Sequence, residues 1–146
     1  MPRVKLELPA EWPFQTELDV RIRDINYGQH LGNDAVLALL HEARLRFLAA
    51  YGFSEKDAGG AAMIMLDATI VYTAQAFHGD RLRAEVAAGE FGGSGGALFY
   101  RLIRISDGQE IARARTGLAF FNYTTNRLVR MPEAFRASLG AAPQTH

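Results

Sequence analysis

Apolar and polar residues alternate near the start of the chain. Leu18, Val20 and Ile22 are separated by charged residues, and this period of two predicts a strand with one buried face. Residues 24–33 are rich in glycine, asparagine and other turn formers, so we expect a loop after the strand. Asp24 keeps the phase of the buried positions, which predicts a carboxylate at the point where strand and loop meet.

The spacing of apolar residues changes to that of a helix between Ala35 and Tyr51. The apolar face is broad, which predicts a helix that is buried on most sides. Asn33 or Asp34 offers a side chain for the N-cap, and Gly52 can adopt the left-handed conformation that ends a helix. We therefore expect one long central helix.

Strand-like spacing returns after residue 60 and continues to about Phe121. It predicts four strands, at 63–72, 81–88, 97–105 and 112–120, with a hairpin at Asp107-Gly108 and a short amphipathic tail at 133–139. The apolar face of this sheet must be covered, and only the long helix is large enough to cover it. The prediction is a single α+β domain (1–146), a mostly antiparallel five-stranded sheet around a central helix.

The composition excludes several classes of function. The 146 residues suit one domain, and 49% hydrophobic with 22% charged residues is a globular mixture. Sixteen basic residues balance sixteen acidic ones, which argues against nucleic-acid binding. The chain has no cysteine, so disulfides, thiol catalysis and zinc–thiolate sites are excluded.

The sequence carries no membrane or export signal. The longest uncharged apolar stretch, 59–66, is far shorter than a membrane span. The first nine residues lack the apolar core of a signal peptide. We therefore expect a cytoplasmic protein with no membrane partner.

Asp24, His30 and the start of the helix are the best candidates for chemistry. A buried carboxylate can act as a base or nucleophile, but Asp24 could equally begin an ordinary Asx-turn. His30 lies where unpaired N–H groups of the helix could hold a carbonyl oxygen, although a loop histidine bonded to a cap is the alternative. Gly28 and Gly32 would let a ligand approach the backbone, or would serve only the turn.

Other polar residues favour structural roles. Glu42 precedes Arg46 by four residues, which predicts an ion pair on the helix rather than a catalytic carboxylate. His41 could join His30 and Asp24 at a metal, but no regular ligand spacing supports a metal site. Four arginines fall on the outward phase of their strands, where they could bind phosphate or only be solvated: Arg81, Arg83, Arg113 and Arg115.

The ordered set of features resembles the hotdog-fold acyl-CoA thioesterases, in particular the 4-hydroxybenzoyl-CoA thioesterase-like group. Members typically carry Asp-x-Asp-x-x-Gly-His-Val-Asn-Asn before a helix with Glu-x-Ala-Arg-x-x-Phe-Leu. Asp24 and His30 keep that spacing, Asn33 matches the last asparagine, and residues 42–48 match the helix. Later segments also match, at 70–82, 112–116 and 130–132, so the resemblance extends from about 18 to 136.

The chain departs from that pattern in the loop and after it. Asn26 replaces the second aspartate, Gly32 replaces an asparagine, Gln75 stands at a proline position, and the glycine lies two residues before His30 instead of one. The lost aspartate concerns substrate handling more than chemistry, because Asp24 matches the family's catalytic aspartate. The segment 24–26 also fits the start of the hotdog enoyl-CoA hydratase motif, Asp-x-Asn-Pro-x-His, but the proline is absent and the histidine comes one residue late.

The resemblance implies an acyl-CoA thioesterase acting on a fatty or aromatic acyl group. Asp24 would be the base or nucleophile, amides at the helix start would form the oxyanion hole, and His30 and Asn33 would orient water or the carbonyl. The substrate slot would be shaped by Tyr27, Gly28, Leu31 and Gly32, and the outward arginines would hold the phosphates of coenzyme A.

The resemblance also implies a homodimer or homotetramer with sites between subunits, and no metal or redox cofactor. Coenzyme A enters only as part of the substrate. Two alternatives remain open: a non-catalytic protein that binds acyl-CoA or an acyl carrier, and a hotdog enoyl-CoA hydratase.

Overall fold

The computed structural model describes residues 3–139 as six strands, two α-helices and one 3₁₀ turn. The strands are β1 (Phe14–Asp19), β2 (Ala62–Tyr72), β3 (Arg81–Gly89), β4 (Gly95–Arg104), β5 (Glu110–Asn122) and β6 (Arg127–Val129). The helices are α1 (Asn33–Ala50) and α2 (Glu133–Ser138), and the 3₁₀ turn is Ile22–Asp24. In this part of the chain neither helix combines the length and hydrophobicity that a membrane span requires.

All strand pairs are antiparallel, and the sheet has the order β1-β3-β4-β5-β2, with β6 beside the end of β5. Phe47, Leu40 and Leu48 of α1 are fully buried in one cluster with the inner face of the sheet. Alternate residues of β5 from Ala112 to Phe120 belong to this cluster or lie buried beside it. The prediction of an α+β fold with a central helix is confirmed.

The segment after β1 differs from the prediction. β1 ends at Asp19, and Ile22 lies in the 3₁₀ turn, where it is 70% exposed. The reason is local, because the Arg21 amide donates to the Asp24 carboxylate (2.8 Å) and turns the chain before the alternation can continue. Asp24 is nevertheless buried, at 6% exposure. Its carboxylate is therefore brought into the interior by the 3₁₀ turn and not by the alternation of a strand.

The ends of α1 are partly as predicted. Gly32 is the N-cap, with no side-chain cap, so the prediction of Asn33 or Asp34 at this position is wrong. Asn33 is the first residue of the helix, so it lies one position after the N-cap. Gly52 adopts a φ of +82° just after the C-cap, as expected for the stop.

Residues 3–13, the N-terminal segment, form no regular element, and two of them contact arginines on the outer face of the sheet. Arg113 of β5 donates from Nη1 to the carbonyl oxygen of Leu6 (3.1 Å). The guanidinium of Arg101 on β4 lies 5.2 Å from the centre of the Trp12 ring, a cation–π contact. Two outward arginines thus hold this segment against the sheet.

Candidate active site

The loop between the 3₁₀ turn and α1 closes on itself. Ile25 and Leu31 form an antiparallel bridge, and the Gly32 amide donates to the carbonyl oxygen of Asp24 (2.9 Å). The Leu31 amide donates to the carbonyl oxygen of Ala76 (2.7 Å), which ties the loop to the chain after β2. The backbone of Asp24 is therefore bonded directly to the residue that precedes α1.

The Asp24 carboxylate is buried, and among residues 3–139 its one hydrogen-bond partner is Arg21. Arg21 donates to it from the backbone amide (2.8 Å) and from Nε and Nη2 (both 3.3 Å). The Arg21 side chain is itself 59% exposed. Asp24 thus closes a turn rather than beginning one, and the exposed guanidinium balances its charge.

The first turn of α1 presents backbone N–H groups without a side-chain cap. Such a helix start has unpaired donors and the positive end of the helix dipole. The N-cap Gly32 leaves room here, because a Cβ at this position would lie 2.8 Å from Oδ1 of Asp34. These amides can donate hydrogen bonds to an oxygen atom on which negative charge develops.

A cleft with a volume of about 210 Å³ lies beside the start of α1. Nδ1 of His30 lies 3.1 Å from the carbonyl oxygen of Leu31, and since a carbonyl oxygen only accepts, this nitrogen is the donor. The Tyr72 hydroxyl donates to the carbonyl oxygen of Asn33 (3.2 Å) across the cleft. The lining residues are Arg3, His30, Leu31, Asn33, Val36, Tyr72, Thr73, Ala74, Gln75, Ala76 and Ile111.

The structure brings some of the predicted site residues together. His30, Leu31 and Asn33 line the cleft. Asp24 and Gly32 do not line it, but they belong to the same loop, and the Gly32 amide is hydrogen-bonded to the carbonyl oxygen of Asp24. The Tyr27 side chain is fully exposed, and the Gly28 amide donates to Oδ1 of Asn26 (2.9 Å). The catalytic and binding roles of these residues stay predictions.

Several cleft residues were missed by the sequence reasoning. Tyr72, Thr73 and Gln75 lie in the segment 70–82, which matches the family pattern, so that resemblance was the available signal. Arg3 has no such signal. It reaches the cleft only because the N-terminal segment crosses the sheet.

The four candidate arginines lie on the outer face, as predicted, but none lines the cleft. Each has a carboxylate partner within the described residues. The pairs are Arg81 with Glu17 (2.8 Å), Arg83 with Glu85 (3.8 Å), Arg113 with Glu110 (2.9 Å) and Arg115 with Glu90 (2.8 Å). A phosphate bound at these arginines would have to compete with those carboxylates, and their role in binding coenzyme A stays a prediction.

The helix carboxylate behaves as predicted. Glu42 accepts a hydrogen bond from Nε of Arg46 (2.7 Å), which confirms the ion pair. Arg46 also donates to the Thr16 hydroxyl (2.8 Å) and to the carbonyl oxygen of Glu17 (2.9 Å). Arg46 therefore links α1 to β1 by hydrogen bonds while it is paired with Glu42.

A buried polar chain leads from His41 into the core. His41 contacts Glu55 (3.0 Å), and Nε of Arg44 donates to the other carboxylate oxygen (2.8 Å). Arg44 Nη1 lies 3.4 Å from the Tyr100 hydroxyl, which bonds to the Thr116 hydroxyl (2.7 Å). His41 is thus engaged away from His30 and Asp24. Between residues 3 and 139, no three histidine or acidic side chains lie close enough to hold a metal ion.

The fold of this chain is similar to the folds of solved thioesterase structures. The 1,4-dihydroxy-2-naphthoyl-CoA thioesterase from Synechocystis is 21% identical, with a TM-score of 0.79 over 87% of this chain and 95% of that chain. A hypothetical protein from Staphylococcus aureus in complex with CoA is 17% identical, with a TM-score of 0.80 over 97% and 92% of the two chains. The DHNA-CoA thioesterase from Staphylococcus aureus is 17% identical, with a TM-score of 0.74 over 84% and 83%.

The structural similarity confirms the predicted hotdog fold. No curated protein matches the sequence. A family model, the thioesterase-like superfamily, matches residues 20–139, which include the loop, α1 and every strand after β1. The chain therefore belongs to the thioesterase-like superfamily, with the hotdog fold, and is a thioester hydrolase by family.

Proposed function

We propose that this chain is an acyl-CoA thioesterase whose reaction takes place at the start of α1. The observation that carries the proposal is the uncapped first turn of the helix, which lies beside a cleft and next to a buried carboxylate. Membership of the thioesterase-like superfamily supports thioester hydrolysis. The CoA complex of a structurally similar protein supports coenzyme A as the thiol carrier.

The first-turn amides would act as the oxyanion hole. Attack on the thioester carbonyl places negative charge on its oxygen, and backbone N–H groups aimed at that oxygen stabilise the charge where it develops. His30 and Asn33 line the same cleft and would orient the carbonyl or the water. Water adds to the carbonyl carbon, the C–S bond breaks, and the products are a carboxylate and the free thiol of coenzyme A.

Asp24 would supply the base or the nucleophile. As a base, it takes the proton of the attacking water. As a nucleophile, it forms an anhydride that water then hydrolyses. Either role requires the carboxylate to leave Arg21 and turn toward the start of α1. This breaks the hydrogen bond from the Arg21 amide (2.8 Å) and the two longer bonds from its guanidinium (both 3.3 Å).

The test is the substitution Asp24→Asn, with release of free thiol as the assay. We expect kcat to fall by about 10² or more, with little change in KM or melting temperature, because the amide keeps the size and an acceptor for Arg21 but cannot take a proton. Glu42→Gln is the matched control, since its carboxylate is 49% exposed and pairs only with Arg46 among residues 3–139, so its loss should be small.

Two results would contradict this assignment. Near-normal turnover by Asp24→Asn, with loss of turnover in Glu42→Gln, would move the catalytic carboxylate onto the helix. Tight binding of acyl-CoA by the unaltered chain with no thiol released would favour the non-catalytic binding protein instead.

We also propose that the chain forms a homodimer through β2. This strand pairs only with β5, so its other edge is free within the described sheet, and Leu66 is 61% exposed on it. Unpaired strand edges associate readily. β1 forms the opposite edge of the sheet. It is shorter than β2, and the carbonyl oxygen of Glu17 on β1 already accepts a hydrogen bond from Arg46.

Sedimentation at micromolar concentration tests the dimer. The unaltered chain should sediment as a dimer or dimer of dimers, and Leu66→Arg should shift it toward monomer by placing charge on the paired edge. Leu128→Arg on β6 is the control, because Leu128 is equally exposed (61%) but is separated from β2 by β5. A monomeric unaltered chain would contradict the proposal.

A further inference from the structure

We infer that the cleft beside α1 binds an acyl group that ends in an anion, and that Arg3 is the residue that selects it. The inference rests on the proposed thioesterase function and names the class of substrate for the same site. It is carried by the path of the N-terminal segment, by the charges that line the cleft, and by the volume of the cleft.

The N-terminal segment brings a cation to the cleft from outside the sheet. Arg3 lines the cleft together with Tyr72 and Ile111, at the ends of β2 and β5. Three residues further on, the carbonyl oxygen of Leu6 is held by Arg113 (3.1 Å). This hydrogen bond holds the segment against the sheet close to Arg3, whose own side chain is exposed.

Arg3 supplies the positive charge of the cleft. The lining also holds the polar side chains of His30, Asn33, Tyr72 and Gln75, and no described lining residue is a carboxylate. The cleft between β1 and α1 differs, because its lining includes three carboxylates and two arginines. Within the lining, the charge of Arg3 therefore has no carboxylate partner, and the positive end of the helix dipole adds to it. The Asp24 carboxylate beside the cleft is already paired with Arg21.

The position and small size of the cleft assign the anion to the acyl group. The cleft has a volume of about 210 Å³ and lies at the start of α1, where the thioester carbonyl would bind. A carboxylate at the end of a short acyl chain stays close to that carbonyl. The phosphates of coenzyme A are separated from the thioester by the whole pantetheine arm, so they lie outside a cleft that holds the carbonyl. Arginine suits the task because its planar fork donates two parallel hydrogen bonds to a carboxylate.

The experiment compares acyl-CoA pairs of equal carbon number. Malonyl-CoA is paired with propionyl-CoA, and glutaryl-CoA with valeryl-CoA, each corrected for spontaneous hydrolysis. The unaltered chain should have a kcat/KM about tenfold or more higher for the carboxylate-ended member of a pair. Arg3→Gln should remove that preference, chiefly through KM, and leave the neutral substrates unchanged.

Lys5→Gln is the matched control, because Lys5 is exposed on the same segment, does not line the cleft, and carries the same charge. It should leave both members of each pair unchanged. Arg3→Lys should retain part of the preference, since it keeps the charge without the fork. An equal effect of Lys5→Gln would mean that the segment acts through general charge, which would overturn the inference.

The remaining outcomes separate the inference from the proposed function. Hydrolysis of neutral acyl-CoA without preference for the anionic partner would overturn the inference and leave the thioesterase standing. A loss in Arg3→Gln that is equal for both members, but absent with acyl-pantetheine substrates that have no phosphate, would assign Arg3 to coenzyme A and overturn the acyl assignment. If no acyl-CoA is hydrolysed, the proposed function fails and the inference fails with it.

Discussion

The Tyr100 hydroxyl is the part of the buried polar chain whose removal has the most predictable cost. Tyr100 and Thr116 are almost fully buried, and their hydroxyls are 2.7 Å apart. Burial raises the pKa of Tyr100, so its hydroxyl stays protonated in ordinary buffers. Tyr100→Phe therefore removes a hydrogen bond and leaves the Thr116 hydroxyl in the core without this partner.

An unsatisfied buried polar group costs about 1–3 kcal/mol. The contact from Arg44 to the hydroxyl is long, at 3.4 Å, and adds little. We expect Tyr100→Phe to lower the free energy of unfolding by about 2 kcal/mol. For a chain of this length the melting temperature should fall by roughly 6 °C.

Thermal and urea unfolding of a double-mutant cycle measures this coupling. Thr116→Val alone should also destabilise, but the variant with both substitutions should lose about 1 kcal/mol less than the sum, because neither hydroxyl is then left without a partner. Tyr123→Phe is the control, since Tyr123 is 71% exposed and should change stability by under about 0.5 kcal/mol. Additive single effects, or a Tyr100→Phe variant as stable as the unaltered chain, would refute the reasoning.

Two further predictions concern pH and strand packing. Burial raises the pKa of Glu55, but hydrogen bonds from Arg44 and His41 outweigh it and hold that pKa below the ordinary 4.5. The resulting stabilisation is present above that value and lost as pH falls through the lower, folded pKa, so Glu55→Gln should lower the melting temperature most at neutral pH and least in acid. A Cβ at Gly95 would collide with a backbone carbonyl of β5. Gly95→Ala should therefore cost about 1–3 kcal/mol in urea unfolding, whereas Gly93→Ala, with open space around its Cβ, should be neutral.

The regular elements could be predicted from the sequence because periodicity reports which face meets the core. Along β5, Ala114 and Leu118 are buried and Arg113 is turned outward, as the alternation predicts. Periodicity fails where a side chain bonds to nearby backbone, as Asp24 does in the 3₁₀ turn. It also cannot reveal β6, whose three residues are too few to form a pattern.

The site was predictable only as far as it is local in sequence. The loop between Asp24 and the start of α1 is one short segment, so residue spacing predicts that His30 lies beside the helix. Arg3 and Tyr72 reach the same cleft along separate paths through the fold, which no local pattern encodes. Arg44 is a similar case, because its acceptor Tyr100 lies 56 positions away, and a helical arginine gives no sign of being buried.

The N-terminal segment has a practical consequence for changing substrate choice. No residue between 3 and 13 belongs to the buried core, so substitutions there leave the packing of the sheet and α1 largely untouched. If Arg3 selects the acyl group as inferred, a library of variants around Arg3 should therefore change acyl specificity at little cost in folding yield. A fusion tag placed close before Arg3 would change the surroundings of a side chain that lines the cleft.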